Sequence, residues 1–338
     1  MAAAVTKRVT RSQTKATTAQ PDPHASDTSK RKQHNKHGLL SIKQIPAWMY
    51  DNEFILSGYR PEMGNYADCF RSLLYVHNET GSIYTHLIGC LIHVAAVVYV
   101  LWFAVDNVGA FAAMIGDTGS AVKSNESAVF GWADVVVAAC LLVSAVVCMG
   151  LSAAFHTFHC HSHPVSKAWN KLDFAGIAAL IAGSNIPFIY YGFYCEPSYQ
   201  TLYIAFMLLF GAVTTLVTVS ERYSTPKYRM LRTSLFVAMG LSSIIPIIHL
   251  LLEHGYHYAS VTMSINHGIA GGICYLVGAF LYASRIPERL MPAGMCDLWF
   301  QSHQIFHLLV LAGTCAHFRG VVVAMVHRHV DGFYPCVG

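Results

Sequence analysis

Seven long apolar runs punctuate the chain, at Ile83–Val105, Trp132–Phe155, Leu172–Tyr191, Tyr199–Val219, Leu235–Leu252, Thr262–Tyr282 and His303–Val326. Each approaches or exceeds the ~20 residues that cross a hydrocarbon core. In lipid such runs are helices, because no water is present to satisfy an open backbone. The pattern therefore predicts an all-α membrane protein with seven transmembrane helices over residues 83–326. Residues 1–44 are polar and rich in Ser, Thr and Lys, and read as a disordered basic tail. Residues 45–82 form a juxtamembrane segment with a short helix, which the alternation in Asp51-Asn52-Glu53-Phe54-Ile55-Leu56 puts on the membrane surface. Residues 327–338 are a short terminal tail.

Only 12% of the 338 residues are charged, about half the share of a soluble domain, so a soluble globular protein is excluded. The cations are distributed unevenly. Of 22 Lys and Arg, 19 fall before the first run or in the loops after even-numbered runs, and only Lys123, Arg319 and Arg328 fall on the other side. Short basic loops stay in the cytoplasm, which predicts a cytoplasmic amino terminus and a carboxyl terminus outside, opposite to a G-protein-coupled receptor. The sequon Asn125-Glu126-Ser127 then lies outside, where Asn125 is a glycosylation candidate, whereas Asn78-Glu79-Thr80 lies inside. Cys195 and Cys336 are both expected outside, as a disulfide or as two unpaired thiols.

This topology gathers a set of polar side chains at one depth. The second run ends inward at Ser152 and His156, the third begins there near Asp173, and the seventh opens with His303 and His307, four residues apart on one helix face. Ionisable groups at membrane depth are costly and point to function. Three imidazoles suit Zn²⁺ and leave a fourth position for water, whose pKa zinc lowers to about 7. Asp173 would orient that water and accept its proton, and Ser152 would bond behind a ligand or steady a polarised carbonyl. The competing reading makes each histidine an interfacial hydrogen-bonding residue. His86 and His93 read as helix-packing histidines. Pro187 and Pro246 predict kinks, and Gly268, Gly271 and Gly272 a close helix contact.

Asn78-Glu79-Thr80-Gly81-Ser82-Ile83-Tyr84-Thr85-His86-Leu87, the Ser152, His156, Asp173 spacing, Ala283-Ser284-Arg285-Ile286-Pro287-Glu288-Arg289 and Gln301-Ser302-His303-Gln304-Ile305-Phe306-His307 occur in that order. In this the chain resembles the adiponectin receptors of the progestin and adipoQ receptor family, from about Ile45 to Phe318. The resemblance implies zinc held by His156, His303 and His307, with Asp173 and Ser152 around a bound water, beside a large lipid-accessible cavity. It further implies hydrolysis of ceramide to sphingosine and fatty acid, and a plasma-membrane location. Arg232 falls where such receptors carry an arginine at the inner mouth, either for a fatty-acid carboxylate or as a positive-inside anchor. The partners expected are ceramide and fatty acid, an extracellular protein ligand and a second copy of the chain, and no nucleic acid. A receptor with purely structural zinc, or a channel or transporter, are the other function classes.

Overall fold

The computed structural model describes residues 38–101, 132–329 and 336. The sequon at Asn125, the greater part of the basic tail and most of the carboxyl-terminal tail lie outside the described residues. Within them, seven helices are long and apolar enough to cross a membrane. These are α2 (Thr80–Tyr99), α3 (Trp132–Phe158), α4 (His163–Gly192), α5 (Pro197–Val219), the pair α6 (Arg229–Leu241) and α7 (Ile244–Thr262), α8 (Ile265–Ser284) and α9 (Ser302–His329). A short α1 (Tyr66–Arg71) precedes them. So does an antiparallel pair of strands, β1 (Leu40–Ser41) and β2 (Ser57–Tyr59).

Helix ends depart from the apolar runs where polar residues continue a helix. α4 starts at His163, with Pro164 in its first turn, where the missing N–H costs nothing. The apolar run of that helix begins only at Leu172, so its first turns are polar. The fifth span is interrupted at Ser242-Ser243, directly ahead of Pro246, and again at Gly255, whose φ of +78° is open to glycine at no steric cost. Thr262 closes α7 and does not open the next helix, because the backbone reverses at Ser264 with φ +51°.

The amphipathic helix expected at Asp51–Leu56 does not form. Asn52 Oδ1 accepts from the Phe54 amide at 3.1 Å, a local turn that competes with helix, and the chain then runs into β2. The short helix of this segment is α1. Residues 39–79 instead make a cap across one end of the bundle. It carries a small apolar cluster in which Met49 and Cys69 pack with Phe158 and Cys160.

The main core lies between α3, α4, α7 and α9, where Leu141, Leu142, Met149, Leu250 and Val321 are nearly or wholly buried. Small residues allow the close approach. A side chain at Gly183 would overlap Ser144 and the Cys140 carbonyl across the α3–α4 contact. At the end opposite the cap, Cys195 and Cys336 are joined in a disulfide, and the Arg328 guanidinium lies 3.7 Å from the Tyr194 ring centre.

Candidate metal centre

His156 sits two residues before the end of α3, and His303 and His307 lie in the first two turns of α9. The four-residue spacing puts the latter pair on one face, and the cap draws the two helix ends together. One ring nitrogen from each histidine lies within 4.8 Å of the others, His156 and His307 being buried and His303 half-buried. The rings meet nearly edge to face, with centroids 4.7–5.0 Å apart. Three candidate ligands thus come from two helices.

Hydrogen bonds fix the tautomers of two of them. His156 Nδ1 lies 2.7 Å from Glu79 Oε2, and His307 Nδ1 lies 3.1 Å from the Ser82 carbonyl and 3.3 Å from Thr85 Oγ1. An ionised carboxylate and a carbonyl only accept, so each Nδ1 carries the proton and each Nε2 presents its lone pair. This is the arrangement in which metal-ligating histidines are held. His156 Nε2 is buried with no hydrogen-bond partner, an orphan that a metal ion would satisfy. The donor set therefore fits Zn²⁺. Burial raises the Glu79 carboxyl, but the hydrogen bond from His156, with the nearby Arg60 cation, outweighs it and holds the group below the usual carboxylate range.

Ser152 and Asp173 line the same cavity as the three histidines. Both are buried. Ser152 Oγ meets no partner within hydrogen-bonding geometry, and the Asp173 carboxylate interacts electrostatically with Ser152 and His156. The cavity measures about 670 Å³ and runs from the histidines along α4, α7 and α8 to Phe188 and Met263. Arg232 lines it too, but not as an exposed anchor. It is buried, its Nη1 donates to the carbonyls of Tyr223 (2.7 Å) and Thr225 (2.6 Å), and its guanidinium lies 4.5 Å from the Phe174 ring centre.

Several residues that hold the site escaped the sequence reading. Arg60, 1% exposed, donates Nη2 to the His156 carbonyl (2.6 Å) and Nη1 to the Thr157 carbonyl (3.0 Å) and Ser72 Oγ (2.7 Å). It closes the carboxyl end of α3, where a cation is favoured. Glu288 accepts from Ser302 N (2.7 Å), Ser302 Oγ (2.5 Å) and Asn52 Nδ2 (2.9 Å), capping the amino end of α9 next to His303. Arg285 donates to the Asp51 carbonyl and carboxylate, both at 2.8 Å. His86 makes no hydrogen bond through either ring nitrogen and lies flat on His307, centroids 3.5 Å apart and planes 6° apart. Its expected helix-packing hydrogen bond is thus replaced by stacking. His93 bonds within its own helix instead, its Nδ1 2.8 Å from the Gly89 carbonyl one turn earlier in α2. Glu288, Arg285 and His86 lie in the quoted motifs, which are dense in polar residues, whereas Arg60 lies outside them.

A family model described as haemolysin-III related matches residues 74–318. The chain is 37% identical over 290 residues to the adiponectin receptor protein of Drosophila melanogaster, covering 86% of this chain and 60% of that one. It is 39% identical to progestin and adipoQ receptor-like protein 1 of Caenorhabditis elegans over 84% of this chain and 60% of the relative. Heptahelical transmembrane protein 4 of Arabidopsis thaliana is 30% identical over 92% of this chain and 97% of its own length. The chain thus spans about 60% of the length of the two animal relatives.

Proposed function

Since the chain belongs to the haemolysin-III related family as an adiponectin receptor-like, seven-helix integral membrane protein, we propose that it is a receptor whose three histidines hold zinc and which hydrolyses ceramide-like lipid amides to sphingosine and fatty acid. The observation that carries this reading is the orphaned, buried Nε2 of His156 beside two further imidazoles at the head of a 670 Å³ cavity. A zinc ion there would supply Lewis acidity toward a substrate carbonyl and toward water.

The chain's own groups divide the remaining work. Glu79 and the Ser82 carbonyl keep His156 and His307 in the ligating tautomer. The cavity takes the lipid chains and excludes bulk water from the amide. Ser152 donates its hydroxyl proton in a hydrogen bond to the amide oxygen as charge develops there. Asp173 accepts a proton from the attacking water and returns it to the leaving amine nitrogen. Arg232 receives the fatty-acid carboxylate through donors that its two loop carbonyls do not use. The proposed orientation puts the site in the cytoplasmic leaflet of the plasma membrane. The disulfide at the opposite end, a bond typical of oxidising compartments, supports that direction. The outer surface is then the place for a protein ligand, and the lipid-facing helices for a second copy of the chain.

Purified protein given acyl-labelled ceramide should release fatty acid, and the double variant His303→Ala, His307→Ala should not. Equal release by both would overturn the proposal. A second reading, in which zinc only ties α3 to α9, is favoured by how tightly Ser152 Oγ and His156 Nε2 are enclosed. Under it, Asp173→Asn keeps its metal and signals normally. Loss of fatty-acid release in a metal-loaded Asp173→Asn protein would count for the hydrolase.

A further inference from the structure

Two thiols outside the histidine site approach each other across the joint between cap and bundle. Cys69 belongs to α1 and Cys160 to the turn between α3 and α4, 91 residues apart, and their sulfurs are 3.8 Å from one another. Both are fully buried and neither is in a disulfide. Backbone bonds hold the surroundings in register, since Met63 N donates to the Cys160 carbonyl at 2.9 Å and Gly64 N to the His161 carbonyl at 2.8 Å. A disulfide needs about 2.05 Å between sulfurs, so the two sulfurs must approach by less than about 2 Å.

The chemical setting suits oxidation. Arg60 Nη1 bonds Ser72 Oγ and the Thr157 carbonyl, the first of which donates to the Cys69 carbonyl and the second of which accepts from Cys160 Sγ, and a nearby cation favours the thiolate, the reacting form. The hydrogen bond with Cys69 lowers the Cys160 thiol, burial opposes that, and Arg60 adds to the lowering. The cover is thin. α1 has six residues, and its Tyr66 and Phe70, which pack on Phe158 through one ring edge or face, are still about half exposed, so local opening of one short helix admits a molecule as small as a peroxide.

We propose that Cys69 and Cys160 are a peroxide-oxidisable dithiol, whose reversible disulfide tethers the cap to the turn that follows His156. The Cys160 thiolate attacks hydrogen peroxide, forming an S–O bond and breaking the O–O bond. The hydroxide released takes up the proton that Cys160 gave up and leaves as water. Cys69 sulfur then attacks the sulfenic sulfur, the S–S bond forms, and the sulfenic oxygen leaves as a second water with the Cys69 proton. The two thiols lose two electrons in all, and one peroxide is reduced to two waters. A small dithiol reverses the step by exchange.

The full chain in detergent is exposed to hydrogen peroxide, free thiols are alkylated, and peptides are mapped by mass spectrometry with and without reduction. The expected result is one cross-linked peptide joining Cys69 to Cys160, removed by dithiothreitol and absent from Cys69→Ala and Cys160→Ala. In each single variant the remaining cysteine is trapped by dimedone as the sulfenic acid or recovered as the free thiol. Oxidation should also raise the melting temperature of the unsubstituted protein and not that of Cys69→Ala. The proposal is overturned if both thiols of the unsubstituted protein stay alkylatable after peroxide treatment, or if other cysteines couple while these two do not. That readout needs no variant to fold.

Discussion

The spans that carry the site and the spans that line its outer wall are built differently. In α3, α4 and α9 the most apolar stretch is 50–56% buried, whereas in α5, the α6–α7 pair and α8 it is only 17–22% buried. The first set has protein on most sides and carries His156, Asp173, His303 and His307. The second turns most of its surface outward, with Leu209, Leu216 and Phe280 well exposed, as lipid contact requires. Lipid gives apolar side chains no reason to prefer protein. Order at the site must therefore come from close packing and polar bonds among the inner helices, and the cavity runs along the boundary between the two sets.

The largest effect should follow from removing a ligand on the inner set. His156→Ala is expected to abolish metal binding, taking zinc from one per chain to none, and to lower the melting temperature. Elemental analysis of the purified protein reads this directly. A variant that keeps a full equivalent would remove α3 from the centre and collapse the distinction drawn between the sets.

Arg60→Ala comes next. It strips donors from two carbonyls at the end of α3 and from Ser72 Oγ in a buried setting, and charged hydrogen bonds of this type contribute about 1.5–3 kcal/mol each. The expected loss is about 4–5 kcal/mol in denaturant or thermal unfolding, the lower end of three such bonds. Lys at this position should recover only part of it, because an ammonium lacks the guanidinium fork. Glu79→Ala should act on the metal more than on the fold, weakening zinc affinity roughly 10–100-fold. Glu79→Gln, which keeps an acceptor for His156 Nδ1, should lie between. Competition with a chromophoric chelator measures both, and unchanged affinity in Glu79→Ala would show that the His156 tautomer is held by other means.

What the chain disclosed in advance follows the same division. Seven spans were legible because composition and run length report lipid contact residue by residue. His303 and His307 were legible because helical spacing is local, and charge asymmetry in the loops was enough to draw His156, Ser152 and Asp173 to the same level. Arg60, Glu79 and Glu288 were not, since each acts on a partner 14 to 97 residues away and nothing local marks an arginine as a helix cap. The expected surface helix at Asp51–Leu56 failed for a related reason. Its polar residues are spent on Arg285 and Glu288 across 234 and 236 residues, contacts that no periodicity encodes.

The smallest effects give the sharpest test, because they compare neighbouring glycines of one outer helix. Gly271 and Gly272 follow each other in α8, yet a methyl group at Gly271 would overlap the His317 ring and lie 2.9 Å from the Gly313 carbonyl, while one at Gly272 meets nothing within 4 Å. Backbone carbonyls cannot rotate away, and His317 is itself held by its Nε2 contact with the Gly268 carbonyl at 3.1 Å. Gly271→Ala should therefore force α8 off α9 and cost about 1–3 kcal/mol through overpacking. Gly272→Ala, at a half-buried position on the cavity with room for the methyl, should change stability by less than about 0.5 kcal/mol. Thermal unfolding of the two variants side by side measures the difference. Equal losses would mean that α8 packs as an inner helix all round, and equal indifference that it is not seated on α9 at all.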